Sequence, residues 1–225
     1  MRDDLRSEFE QKDWSGRKAD SRSGAGSTLA ATQAVRDALP GVLERYEVRT
    51  FLDAPCGDWF WMQHVDLSGV TYIGGDISRE VLDAVALRHA GAGRSFVHLD
   101  ITSDPLPEAD MMMCRDCLFH LKWWLRWTFF KNFAKSGIPY LLTTMHHTTV
   151  NRRLHKNGGF APFNPCAAPF NFPDPLETFS ETGDIKLDPA YLDTSRGRRQ
   201  RSMGVWSRAQ VVGALERHAA GAGTT

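Results

Sequence analysis

Five short, largely apolar runs, at residues 50–54, 70–75, 95–99, 111–114 and 140–144, lack the strict alternation of a half-solvated strand. Such runs are expected of strands buried on both faces. Between them, residues 58–65, 78–89 and 121–133 read as helices; in the second, Ser78 is the cap and Val81, Leu82 and Val85 point inward. Strand and helix alternating in this way predict an α/β fold, a parallel sheet wrapped by helices. Ahead of the first strand, a helix capped by Ser27 or Thr28 is expected to reach about residue 46, with Leu29, Val35, Leu39 and Val42 near helical spacing.

The flanks follow other patterns. Residues 1–22 are charged, with Phe9 and Trp14 as their aromatics, and are expected to form a flexible arm unless those two rings dock. Residues 146–175 sustain neither period and are rich in Pro, Asn, Phe and Gly; a segment of this kind is expected to pack over an opening as a lid. Residues 179–181 and 202–206 are expected to form a final antiparallel pair, with the basic stretch 196–201 on the turn between them. One domain is expected over 23–218, with a frayed tail at 219–225.

A chain of 225 residues with 42% hydrophobic content is long enough for one full core. Lys+Arg and Asp+Glu balance at 27 each, so no long-range field attracts nucleic acid, and a small-molecule partner is favoured. No run has the roughly 18 apolar residues of a membrane span. The charged N-terminal stretch does not resemble a secretory signal, so the expected location is the cytoplasm. Four cysteines in this chain do not suggest a disulfide framework and are expected to be reduced.

Candidate chemistry is concentrated at strand ends. Asp53, Asp76 and Asp100 fall at or just after three successive strands, with Asp76 lying 23 residues beyond Asp53, about one strand-helix-strand step. In a doubly wound sheet those ends line one crevice. Helix caps and turns also favour Asp, but that does not account for three in register. A dinucleotide would require a G-x-G-x-x-G loop; here only Gly57 fits, and Asp58 adds negative charge, which suits a cationic ligand better.

With these residues in place, the chain resembles a bacterial branch of the class I S-adenosylmethionine-dependent methyltransferases. The resemblance is carried by Asp53-Ala-Pro-Cys-Gly-Asp58, Tyr72-Ile-Gly-Gly-Asp76-Ile, Leu99-Asp100 and Cys114-Arg-Asp-Cys-Leu-Phe-His-Leu121. It implies a Rossmann-like, doubly wound sheet of seven mostly parallel strands in the order 3-2-1-4-5-7-6, the last antiparallel. It also implies S-adenosylmethionine as cofactor. Asp53, Cys56 and Gly57 would flank its methionine part, Asp76 and Ile77 would meet the ribose, and Asp100 and Ile101 the adenine; Ser27 and Arg115 join this set. A sulfonium ligand that carries an amino group and no phosphate is well served by carboxylates. The chain departs from the family loop at Trp59-Phe-Trp-Met62, where small residues are usual; these side chains are read as core, with the substrate side as the alternative.

The segment that follows the fourth strand is the candidate catalytic region. Asp116 or His120 could take a proton from an acceptor hydroxyl, and Arg115 could clamp an acidic substrate or simply pair with Asp116. His146 and His147, just past the fifth strand, are further base candidates, with solvated loop histidines as the alternative. No metal is expected, because His155 and Cys166 add no recognised ligand spacing. Cys114-Arg-Asp-Cys117 has C-x-x-C spacing but lies outside the first strand-helix unit, where a redox motif belongs. Trp123, Trp127 and Phe130 share a helix face toward the sheet, and Trp124 points elsewhere.

The expected activity is methyl transfer from S-adenosylmethionine to an oxygen or nitrogen of a small molecule, such as a sugar or secondary metabolite. The alternatives are methylation of RNA or protein, or a non-catalytic S-adenosylmethionine-binding regulator. The acceptor, the choice of general base, closure of the lid and the oligomeric state, a homodimer included, are left open by the sequence.

Overall fold

A computed structural model describes Leu5, Glu8, Phe9 and residues 21–181 and 200–222. Seven strands form one sheet: β1 (Thr50–Asp53), β2 (Thr71–Asp76), β3 (Arg94–His98), β4 (Met111–Cys114), β5 (Tyr140–His146), β6 (Glu177–Ser180) and β7 (Arg201–Ser207). Within residues 21–181 and 200–222 the α-helices are α1 (Leu29–Arg45), α2 (Arg79–His89), α3 (Trp123–Ser136) and α4 (Arg208–Ala222). The order is β3-β2-β1-β4-β5-β7-β6, and β7 runs antiparallel to both of its neighbours. This is the doubly wound, Rossmann-like arrangement expected of the chain.

The pleat divides the core in two. Along β4, Met111 and Met113 face one cluster together with Phe51, Leu142 and the α1 residues Val35, Leu39 and Val42. Met112 and Cys114 face the other, with Leu52, Leu141, the α3 residues Phe129 and Phe130, and Val211 of α4. Alternate side chains of one strand point to opposite faces, so a strand covered on both sides must be apolar throughout. Helix ends follow local chemistry: the Thr28 hydroxyl accepts the Ala31 N–H at 3.2 Å, the Ser78 hydroxyl accepts that of Val81, and α3 stops at Gly137 with φ 83°.

The chain departs from the expected elements in three places. Residues 58–65 do not form a helix; only a 3-10 turn at Met62–His64 appears, after left-handed Gly57 and Trp59. The Asp58 carboxylate accepts from the hydroxyls of Ser21 and Ser23 and from the Arg22 N–H, and these bonds pin a loop in place of a helix start. Trp59 and Met62 are buried, so their spacing reflects core filling and not a helical face. The described residues of the N-terminal stretch are packed: Leu5 is buried, Phe9 lies against the core, Glu8 accepts the Asn157 amide at 2.8 Å, and Ser21 is buried against Asp58. At the other end, α4 extends through residues 219–222, expected to fray.

The segment 147–176 has no regular structure, as expected, but part of it belongs to the core. Phe163, Phe170 and Phe172 are buried against α3; Phe170 stacks on Trp127 with ring centroids 4.6 Å apart. The Asn151 amide holds the carbonyls of Asn164, Ala167 and Ala168. Trp124 is half exposed, as the helix phase predicts. Of the basic stretch 196–201, all but Gln200 and Arg201 lie outside the described residues.

Candidate active site

A cavity of about 670 Å³ opens at the carboxyl ends of β1, β2 and β4, and Asp53, Asp76 and Asp100 all line it. Ser27, Cys56, Gly57, Ile77, Ile101 and Arg115, the other residues expected to hold a cofactor, line it as well. Asp76 is set by backbone: its Oδ2 accepts the Gly57 N–H and its Oδ1 that of Ser78, both at 3.0 Å. Gly57 has φ 55° and rests against the Ser23 hydroxyl where a β-carbon would have to go, so only glycine fits. Asp100 Oδ1 accepts both the N–H and the hydroxyl of Thr102, at 2.8 and 2.6 Å.

Asp53 is buried and accepts the Tyr72 hydroxyl at 2.7 Å. Burial pushes its carboxyl up to about 7, against the pull of Tyr72 and Arg115 and with a further push from Asp76. Burial also raises Asp76, although the N–H groups of Ser78 and Gly57 oppose it. A cluster of buried carboxyls under strain from one another is a place where a cation is welcome.

Beside this acidic floor lies a four-membered charge network. The Arg115 side chain is 4% exposed, and its Nε lies 3.3 Å from Glu181 Oε1, its Nη1 3.7 Å from Asp116 Oδ2. Its Nη2 donates to the Gly26 carbonyl at 2.9 Å, and the guanidinium sits 5.2 Å from the Trp61 ring centre. Burial opposes the Arg115 charge, but Asp116 and Glu181 outweigh it and push the group up. Arg201 closes the ring, 3.1 Å from Asp116 Oδ1 and paired with Glu181, whose side chain is fully buried. Asp116 itself has φ 51° and donates its N–H to the Thr144 hydroxyl at 3.0 Å.

The histidines divide. His120 lines the cavity, and its Nδ1 donates to the Gly159 carbonyl, so the neutral ring carries its lone pair on Nε2. His146 and His147, expected at the substrate edge, do not line the cavity. β5 runs on through His146, which is buried with its ring 4.9 Å from that of Phe119 and its Nδ1 accepting the Phe163 N–H at 3.3 Å. Burial, with Arg201 in support, pushes it down to about 4. His147 shares a 2.9 Å hydrogen bond with the Ser202 hydroxyl. Asp58 is likewise turned away from the cavity, toward Ser21 and Ser23.

Trp61 lines the cavity while Trp59 and Met62 pack in the core. Sequence reasoning missed Glu181, Phe160 and the role of Arg201. A signal for the first was available: the β6–β7 pairing places Glu181 opposite Arg201, with its N–H donating to the Arg201 carbonyl at 3.1 Å. All four cysteines are free thiols, and among the described residues no group of three metal-binding side chains converges. No described helix is long and apolar enough to cross a membrane.

The strand order, the single reversed strand and helices on both faces are those of the class I S-adenosylmethionine-dependent methyltransferase fold. A 1,6-didemethyltoxoflavin-N1-methyltransferase from Burkholderia thailandensis, solved with 1,6-didemethyltoxoflavin and S-adenosylhomocysteine, has a TM-score of 0.61 at 16% identity over 90% of this chain and 86% of its own. Magnesium protoporphyrin IX methyltransferase from Synechocystis PCC 6803, with S-adenosylmethionine bound, has 0.57 at 12% over 92% and 96%. The N-methyltransferase NodS from Bradyrhizobium japonicum WM9 has 0.53 at 11% over 81% and 98%. No family model and no curated protein matches the sequence.

Proposed function

We propose that the protein binds S-adenosylmethionine in this cavity and methylates an oxygen or nitrogen of a small molecule. The observation that carries the reading is the convergence of Asp53, Asp76 and Asp100 on one cavity whose described arginines each have a carboxylate partner. That donor set fits a ligand with a sulfonium and an ammonium, and among the described lining residues every arginine already has a carboxylate partner, which does not favour a pyrophosphate. Asp76 would hold the ribose hydroxyls and Asp100 with Ile101 the adenine side. Asp53, Cys56, Gly57, Ser27 and Arg115 would surround the methionine part.

When bound, the cofactor supplies an activated methyl group. The chain's own part is to hold the acceptor in line with that group, keep water away and accept a proton. We assign the proton to His120, because among the described residues it is the histidine that lines the cavity, and the Gly159 carbonyl holds its Nδ1. Asp116, held by Arg115 and Arg201, orients the acceptor. The test supplies methyl-labelled S-adenosylmethionine with fractionated cell extract. Label is expected in the small-molecule fraction, and His120→Gln is expected to lower transfer at least about 100-fold with cofactor affinity kept. Label in RNA or protein instead would contradict the reading.

A further inference from the structure

We propose that the methyl acceptor is an uncharged, planar aromatic compound whose ring stacks on Phe160, with its reacting atom toward His120; this rests on the methyl-transfer reading above. Phe160 is 54% exposed and lines the cavity. An apolar ring left open to water in a cavity invites a flat partner. It is held there by backbone: the Gly158 N–H donates to the His120 carbonyl at 2.8 Å, the Ala161 N–H to the Phe119 carbonyl at 3.2 Å, and the Gly159 carbonyl accepts from His120 Nδ1. Residues on both sides of Phe160 are thus tied to the 3-10 turn Leu118–His120, and the ring stands at a fixed place beside the base. Its centroid lies 5.3 Å from that of Phe119 and 6.4 Å from that of His120, so the three rings form an aromatic corner.

Charge narrows the class further. The cavity is lined by the arginines Arg22, Arg115 and Arg201 and by five carboxylates. Each arginine is already paired: Arg22 with Glu80, Arg115 with Glu181 and Asp116, Arg201 with Asp116 and Glu181. A phosphorylated or carboxylated acceptor would have to break the buried pairs of Arg115 or Arg201, the Arg22–Glu80 pair being exposed, and would meet more carboxylates than arginines among the described lining residues. A sugar would need several polar groups around the exposed ring, whereas the rings that surround Phe160 are those of Phe119, His120 and the buried His146.

The experiment is calorimetry on the full chain saturated with S-adenosylhomocysteine, titrated with naphthol, with naphthyl phosphate and with methyl glucoside. Naphthol is expected to bind, the phosphate of the same ring to bind at least about ten-fold more weakly, and the glucoside to give no heat. Phe160→Leu, which keeps an apolar side chain of similar bulk, is expected to weaken naphthol about five-fold and leave the S-adenosylhomocysteine affinity unchanged. No naphthol binding, equal or tighter binding of the phosphate or glucoside, or a Phe160→Leu variant with parental naphthol affinity would each overturn the proposal. If S-adenosylhomocysteine does not bind, the methyl-transfer reading fails, and naphthol titration of the ligand-free protein still reads the aromatic corner.

Discussion

Replacing Glu181 by Gln leaves two guanidinium groups facing each other across a neutral amide. The Glu181 side chain is fully buried, the Arg115 side chain 4% exposed, and Arg201 pairs with the same carboxylate. Removing one partner from a buried ion pair costs about 3–5 kcal/mol, because the remaining charge is left without compensation. Asp116 stays within 3.7 Å of Arg115 and 3.1 Å of Arg201, which places the expected loss near the lower end, about 3 kcal/mol. Urea unfolding followed by tryptophan fluorescence reads this directly. With a slope of about 3 kcal/mol per molar, expected for a chain of this size, the midpoint should fall by about 1 M. Adding Arg201→Gln removes the excess cation and should recover part of the loss. A midpoint shift below about 0.3 M for Glu181→Gln, or no recovery in the double variant, would refute the reasoning.

Two further perturbations follow from the same electrostatics. Asp53 is raised from the ordinary 3.8 to about 7, so between those values the folded state holds a proton that the unfolded chain has released. Its contribution is fully present below about pH 4 and is lost as pH rises through about 7, a swing on the order of 4 kcal/mol. Asp53→Asn should therefore flatten the loss of stability between about pH 4 and about pH 7, as read from urea midpoints; an unchanged slope would contradict the assignment. Arg126 is fully buried, its Nε donates to the Leu121 carbonyl at 2.8 Å, and neither Nη has a hydrogen-bond partner among the described residues. Burial pushes it down to about 10, and its guanidinium lies 4.6 Å from the Phe163 ring centre. Arg126→Met is expected to raise stability by about 1–3 kcal/mol; a fall would mean that the stacking on Phe163 outweighs the desolvation.

The centre of the sheet was legible because β1, β4 and β5 are buried on both faces and therefore written as apolar runs, from Phe51 and Leu52 through Met111 to Cys114. The three acids were legible because strand ends in such a sheet share one edge. Residues 58–65 were not: Trp59, Trp61 and Met62 have the hydrophobicity of a helix face but serve as core and cavity lining around a loop that distant Ser21 and Ser23 hold. The same long-range dependence hid the charge network. Glu181 and Arg201 meet Arg115 and Asp116 only through sheet pairing across many residues, and a local pattern carries no trace of that. His146 and His147 read as base candidates just past the fifth strand because sequence sets strand ends only to within a few residues, and β5 continues through His146.

The central claim concerns the cofactor, and calorimetric titration with S-adenosylmethionine of the parent and of Asp76→Ala tests it most directly. The Asp76 carboxylate accepts the N–H groups of Gly57 and Ser78 and lines the cavity, so the variant removes the proposed ribose contact together with the loop's anchor. Circular dichroism of the variant would establish that it is folded. Micromolar binding by the parent, weakened at least about 100-fold in the folded variant, is the result the account predicts. A folded parent that gives no heat with S-adenosylmethionine, or a variant that binds it as tightly as the parent, would contradict it.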